Sequence, residues 1–276
     1  MARSDSRNIA RYWWDRHARG LSLMCADFQT QEFAPHRHEA LVIAVTELGG
    51  AVINSRGVVE QADESVLLVF NPSEPHSGWM GASRHWRYRS LYLEQSAIEE
   101  VACGLGIETV PCFTRNLLAD CDLIVGFLSL HRALEAGCDA LRERELLIAS
   151  FGALFKRHGS GGVRIESAPR DRTRLKAAVD LIHARLAEPL SLGDLSDALG
   201  VTQYQLIRMF KRATGLTPHA YVTQLRLDAA RRGLAEGMAI GETAAAAGFY
   251  DQSALTRTFK RCYGVTPLQF ALAARA

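Results

Sequence analysis

The sequence predicts an α+β chain of two domains, a β-barrel with flanking helices followed by an all-α half. Three observations predict it. Short β-branched and aromatic runs separated by Gly and Pro fill residues 20–93. Helical periodicity replaces them from about residue 96. A glycine-rich break, Gly159-Ser160-Gly161-Gly162, then precedes a stretch in which every periodic segment is helical. At 276 residues the chain has room for two ordinary domains.

In order, Leu41-Val42-Ile43-Ala44-Val45 is followed by Gly49-Gly50 and then Ala51-Val52-Ile53. Ser65 to Phe70 is stopped by Asn71-Pro72, and Tyr88 to Leu93 forms a further run. Strands at this spacing read as a sandwich or barrel. Leu117, Leu118, Cys121, Ile124, Val125 and Leu128 then recur at helical spacing, as do Leu141, Leu147, Ile148, Phe151, Leu154 and Phe155. Two such apolar faces point to a dimer interface, with packing onto the outside of the barrel as the alternative. The expected division is 1–158 for the barrel and its helices (about 96–158), 159–171 for a linker and 172–276 for the helical domain.

No run of eighteen apolar residues is present, and the first twenty residues are charged and polar. The expectation is therefore no membrane span, no secretory signal and a cytoplasmic location. Six cysteines, at 25, 103, 112, 121, 138 and 262, form no C-x-x-C pair. They are expected to be small buried or half-buried residues, with a redox sensor as the alternative. The net charge of +2 conceals an asymmetry. Residues 170–276 carry fifteen Lys/Arg against nine Asp/Glu, whereas 1–169 carry seventeen against twenty-one. Only the helical half is expected to face a polyanion.

That half contains a duplication. Residues 203–221, QYQLIRMFKRATGLTPHAY, align with 252–270, QSALTRTFKRCYGVTPLQF, at a fixed offset of 49 with nine identities in nineteen positions. In the first copy Ser191 and Asp194 start a short helix ending at Leu199, with Leu192, Leu195 and Leu199 inward. Gly200 turns the chain, and Thr202 caps the next helix with Gln205 three residues on. Leu206, Met209, Phe210 and Ala213 are expected inward; Tyr204, Ile207, Arg208 and Lys211 outward. Gly215 stops that helix and Thr217-Pro218 begins another. The second copy has Ile240 to Ala247, a turn at Gly248 and a cap at Asp251. Leu255, Thr258, Phe259 and Cys262 are expected inward; Ser253, Ala254, Thr256, Arg257 and Lys260 outward.

Two short helices joined by a glycine turn, the second with a polar and basic face, describe a helix-turn-helix unit, so double-stranded DNA is the expected partner. The DNA-facing set is Gln203, Tyr204, Ile207, Arg208, Lys211 and Arg212 in one unit, and Gln252, Ser253, Thr256, Arg257, Lys260 and Arg261 in the other. Arg208 and Arg257 hold equivalent central positions suited to a guanine edge. Lys211, Arg212, Lys260 and Arg261 lie nearer the helix ends, where phosphates are met. Ile207 stands where a polar reader is expected, and either touches a thymine methyl or packs on a neighbour. A helical bundle with merely solvated charges is the alternative, and the in-register recurrence argues against it.

These residues, above all Gly248-Phe249 through Phe259-Lys260 to Gly264-Val265-Thr266-Pro267, resemble the double helix-turn-helix domain of the AraC/XylS family of bacterial transcription regulators. The resemblance implies that a helix from about Thr217 to Leu234 holds both recognition helices rigidly. They would enter successive major grooves about one turn, or ~34 Å, apart. It also implies a small-molecule effector; an activator acting as a homodimer is the expectation, with a repressor as the alternative and RNA polymerase as a candidate further partner.

Upstream, His36-Arg37-His38-Glu39 and Asn71-Pro72-Ser73-Glu74-Pro75-His76 resemble the two cupin motifs, and the family commonly carries a cupin-like effector domain. Metal-dependent cupins add a glutamate to three such histidines; here Val42 and Ile43 occupy its expected place. Three imidazoles still suffice to hold Zn, Fe, Ni or Cu, but a metal-free polar patch is the expectation, with no cofactor assigned. Effector contacts are expected from His36, His38, His76, Trp79 and Arg87. Tyr12, Trp13, Trp14 and Trp86 offer further aromatic walls. The missing glutamate disfavours a metal-dependent cupin enzyme, so no enzymatic activity is expected. A regulator whose barrel only dimerises remains the other alternative.

Overall fold

A computed structural model describes residues 7–162, 164–166 and 172–273, and the chain divides into two units, Met1–Glu166 and Ser167–Ala276. Of the linker expected over 159–171, Val163 and residues 167–171 lie outside the described residues.

The first unit is built from ten strands among the described residues. β1 (Asn8–Trp14), β2 (Leu21–Phe28), β9 (Trp86–Leu93), β4 (Leu41–Gly49), β7 (Leu67–Phe70) and β10 (Leu117–Leu118) form one antiparallel sheet in the order β1-β2-β9-β4-β7-β10. β3 (Glu32–His36), β8 (His76–Trp79), β5 (Ala51–Ser55) and β6 (Val58–Ala62) form a second, in the order β3-β8-β5-β6. Both contribute to one core containing Phe28, Val42, Ile53, Ala62, Phe70, Trp86 and Tyr88. The expected barrel is thus two sheets around a shared core. It is not strictly closed, because β1 and β10 remain edges of the larger sheet and β3 and β6 of the smaller.

Two strands lie outside the expected span of 20–93. β1 precedes it, and Leu117–Leu118, expected to be helical, pair with Leu67 and Leu68. Three helices cover this unit: α1 (Gln95–Leu105), α2 (Cys121–Ala136) and α3 (Ala140–His158). α2 starts at Asp120, whose side chain accepts from the Leu123 amide. Its buried stripe is Leu123, Ile124, Phe127, Leu130, His131 and Leu134. The expected stripe was out of phase, since Val125 is 65% exposed and Cys121 is exposed. In α3 the expected residues Leu141, Leu147, Ile148, Phe151, Leu154 and Phe155 are all buried. Both stripes are covered within this one chain, so the packing alternative accounts for them without a second copy.

The second unit contains α4 (Arg172–Ala184), α5 (Leu192–Leu199), α6 (Gln203–Thr214), α7 (Pro218–Ala235), α8 (Ile240–Ala246), α9 (Gln252–Tyr263) and α10 (Pro267–Ala273). Its starts and stops follow the sequence signals closely. Ser191 with Asp194 and Thr202 with Gln205 form complete capping boxes, and Asp251 accepts from the Ala254 amide. Thr217 caps α7, whose first turn carries Pro218. Leu206, Met209 and Phe210 in α6 and Leu255 and Phe259 in α9 are buried. Ala213 and Cys262, equivalent positions expected inward, are exposed, because the packing stripe ends one turn earlier at Phe210 and Phe259. The Leu255 and Phe259 side chains join Leu227, Ala230 and Leu234 of α7 in a single core.

At Gly248 the backbone adopts φ +79°. A Cβ there would lie 2.5 Å from the Leu186 carbonyl oxygen, so both sterics and conformation require glycine between α8 and α9.

Candidate nucleic-acid interface and ligand cavity

In the second unit, α6 and α9 each follow a short helix and a turn, and each leaves one face open to solvent. Arg208, Lys211, Arg212, Gln252, Ser253, Arg257, Lys260 and Arg261 are exposed, and Gln203, Tyr204 and Thr256 are half-buried. Ile207 is not outward: at 5% exposure it belongs to the core. Its branched apolar side chain lies one residue after Leu206 and widens the packed stripe of α6.

Charge pairing is found in both units; in the second, Lys176 pairs with Asp180 and Arg185 with Glu188. In the first, Arg56 binds Glu74, Arg87 binds Asp27, Arg132 binds Glu47, Arg144 binds Glu100 and Arg157 binds Asp120. Among the described residues, no carboxylate pairs with Arg208, Lys211, Arg257, Lys260 or Arg261. Four of these unneutralised cations stand at matching places on two copies of the same helix, Arg208 with Arg257 and Lys211 with Lys260. A polyanion docked there meets charge that no internal partner has already screened.

In the first unit a cavity of about 760 Å³ opens between the two sheets. It is lined mainly by apolar and aromatic groups, among them Tyr12, Met24, Phe33, Phe70, Trp86, Tyr88 and Tyr92. His36, His38 and His76 meet on its wall. His36 ends β3 and pairs in register with His76 at the start of β8, while His38 lies in the loop beyond. Ring centroids are 4.5 Å apart for His36 and His76, 4.9 Å for His36 and His38, and 5.3 Å for His38 and His76. Phe70 stacks on His76 at 3.9 Å.

Burial, with His76 and His36 nearby, lowers the His38 imidazole to about 4. Burial also lowers His76, against the opposing hydrogen bond with the Glu74 carbonyl. The cupin motif's Glu74 does not join them: its carboxylate accepts from Ser55, Arg56, Asn71 and Asn116. Burial alone would raise that carboxyl, but the hydrogen bonds from Arg56, Asn116 and Asn71 outweigh it and hold it at about 2.

Trp79 and Arg87 are not among the lining residues. On β8 the cavity is lined by His76, Ser77 and Gly78, and Trp79, 38% exposed and out of phase with His76 and Gly78, lies on the other face. On β9 the cavity takes Trp86, Tyr88, Ser90 and Tyr92, and Arg87 points away to its ion pair with Asp27. Tyr88 and Tyr92 were missed as wall residues, although their even spacing from Trp86, two and six residues on, is visible in the sequence. Trp13 and Trp14 also stay outside the lining, whereas Tyr12 enters it.

Five of the six cysteines, Cys103, Cys112, Cys121, Cys138 and Cys262, are exposed rather than buried, and all six are free thiols. Burial raises the half-buried Cys25 thiol, partly offset by the Arg89 charge. A raised thiol is the less reactive form, which gives a redox sensor there no support.

Residues 20–151 match a family described as the AraC-like ligand binding domain, and residues 195–273 match a helix-turn-helix domain family. The HTH-type transcriptional regulator YbfI of Bacillus subtilis (strain 168) is 30% identical over 224 residues, covering 81% of this chain and 81% of that protein. The probable transcriptional regulator LumQ of Photobacterium leiognathi is 32% identical over 101 residues, or 36% of this chain and 41% of that protein. A solved AraC-type DNA-binding domain-containing regulator from Chromobacterium violaceum is 32% identical and covers 37% of this chain and 93% of that one, with a TM-score of 0.35. The chain belongs to the AraC/XylS family of transcription regulators, with an AraC-like ligand-binding domain ahead of its helix-turn-helix DNA-binding domain.

Proposed function

We propose that the chain is a sequence-specific activator of transcription, controlled by a small-molecule effector bound in the cavity of its first unit. The observation that carries the DNA reading is the set of unpaired cations repeated in register on α6 and α9. Arg208 and Arg257 read base edges, each flanked on its own helix by Gln203 and Tyr204 or by Gln252, Ser253 and Thr256. Lys211, Arg212, Lys260 and Arg261 hold phosphates. Ile207, buried, drops from this set.

Residues 1–158 sense and dimerise, 159–171 connect, and 172–276 bind DNA. His36, His38 and His76 face the effector; Trp79 and Arg87 do not. The cavity binds rather than transforms its occupant, as the family's regulators and the relatives named above suggest. The site of action is the cytoplasm, where the DNA lies. Family membership likewise supports a homodimer and contact with RNA polymerase.

Selection of bound duplexes from a randomised pool tests the central claim. One enriched motif, with two elements about one helical turn apart, is expected; a pool left unenriched overturns it. Thermal-shift screening with metabolites tests the cavity, because an occupant that binds only the folded state raises the melting temperature.

A further inference from the structure

The wall of the cavity carries three imidazoles whose nitrogens have few other engagements. We propose that His36, His38 and His76 form a three-nitrogen site for a late first-row divalent metal ion of the Ni²⁺, Cu²⁺ or Zn²⁺ class.

Four observations lead there. One ring nitrogen from each histidine lies within 4.8 Å of the others. Tetrahedral binding at the ~2.0–2.1 Å metal–nitrogen distance needs them closer by up to about 1.5 Å, a shift within reach of small side-chain rotations. Two of the rings are already oriented: His36 Nδ1 bonds the Ala34 carbonyl at 2.8 Å, and His76 Nδ1 bonds the Glu74 carbonyl at 3.0 Å. In the tautomer where Nδ1 donates, Nε2 keeps its lone pair, the arrangement that outer hydrogen bonds impose on metal-binding histidines.

His38 makes no side-chain hydrogen bond among the described residues; its surroundings are the other two rings and Tyr92 at 5.3 Å. A half-buried imidazole without a polar partner is costly unless something binds it. The donor set then selects the ion. Imidazole nitrogens suit the late transition metals, whereas Mg²⁺ and Ca²⁺ want oxygen, and the nearby Glu74 oxygens are already committed.

A second cluster, Cys25, His131 and Glu135, has similar spacing but is not a rival. The Arg89 guanidinium sits among these groups, donating to Glu135 at 2.6 Å and to Cys25 Sγ at 3.2 Å. A fixed cation there repels another. The histidine site stands whether or not the cavity's occupant controls DNA binding.

Equilibrium dialysis of untagged full-length protein against Ni²⁺ or Zn²⁺, with Mg²⁺ as the control, tests the site by elemental analysis. About one equivalent of Ni²⁺ or Zn²⁺ per chain is expected, with no Mg²⁺ retained. His38→Ala breaks no hydrogen bond and keeps the fold, which circular dichroism checks. It removes a direct ligand, so affinity should fall by more than the about 10–100-fold that loss of an outer partner costs. Glu135→Gln should leave uptake unchanged. Added Co²⁺ should give visible absorption bands in the wild type and not in His38→Ala. No uptake above the Mg²⁺ control, or uptake equal in wild type and folded His38→Ala, overturns the proposal.

Discussion

At the scale of the residue, Arg208 and Arg257 have solvent where arginines such as Arg56 and Arg157 have carboxylates. Their free guanidinium forks suit the two acceptors of a guanine edge, a contact worth ~1–3 kcal/mol of discrimination. Arg208→Ala and Arg257→Ala should each lower specific affinity by about that amount and broaden the selected motif, as read by electrophoretic or anisotropy titration on cognate and scrambled duplexes. Lys260 belongs to a different class. Lys260→Ala should weaken all sequences alike and reduce the slope of log K against log salt by about 1. An unchanged slope removes Lys260 from the phosphate contacts.

Glu74 makes a prediction about acid. Its folded carboxyl is held near 2, well below an unfolded glutamate at about 4.3. A depressed folded value contributes stability that is complete above the unfolded value and lost as pH falls toward the folded one. Glu74→Gln should therefore flatten the acid limb of first-unit stability between about pH 4.3 and about 2, measured by urea unfolding at a series of pH values. An acid limb as steep as that of the wild type contradicts the role given to these hydrogen bonds.

At the scale of the element, the turn between α8 and α9 is the most constrained backbone of the DNA-binding unit. Gly248→Ala places a methyl against the Leu186 carbonyl at a left-handed φ. The conformation alone costs ~1–2 kcal/mol, and the contact adds to it. Thermal unfolding should show the loss, and DNA affinity should fall with it because α9 is set by this turn. The capping boxes at Ser191 and Thr202, the αL stop at Gly215 and the proline start at Pro218 were legible in the sequence because each is a local device. Its partners lie within a few residues. The buried face of α2 was not legible in the same way. Which side of the helix is covered depends on its packing against α3 and on β4 and β9, the last two far away in sequence, and the run through Leu117, Leu118 and Cys121 suggested the wrong phase. Trp79 and Arg87 were misplaced for a simpler reason. Composition nominated them, while strand alternation from His76 and Trp86 assigns them to the opposite face.

At the scale of the whole molecule, the two-unit layout was readable from the change of period and the glycine break. The function of the second unit was readable from its duplication, since cations repeated in register leave a trace that no three-dimensional knowledge is needed to see. The cavity was only half visible. Two short motifs brought His36, His38 and His76 to attention, but Phe33, Phe70, Tyr88 and Tyr92 come from strands whose meeting is set by sheet topology. The same topology gives β9 two duties. One face of the strand is the cavity wall through Trp86, Tyr88, Ser90 and Tyr92. On the other face Arg89 grips Glu47 of β4 and both Glu135 and His131 of α2. Arg89→Met removes that grip, leaving partly buried acceptors without their charged donor at ~1.5–3 kcal/mol per bond. Hydrogen exchange should then quicken in α2 more than in α3; equal change in both helices argues against a specific tether. Where the tether holds, the strand behaves as a stiff plank with a guest on one side and a helix nailed to the other. Any preference of the guest for one plank position is felt by the helix as the same free energy, and any preference of the helix is returned to the guest.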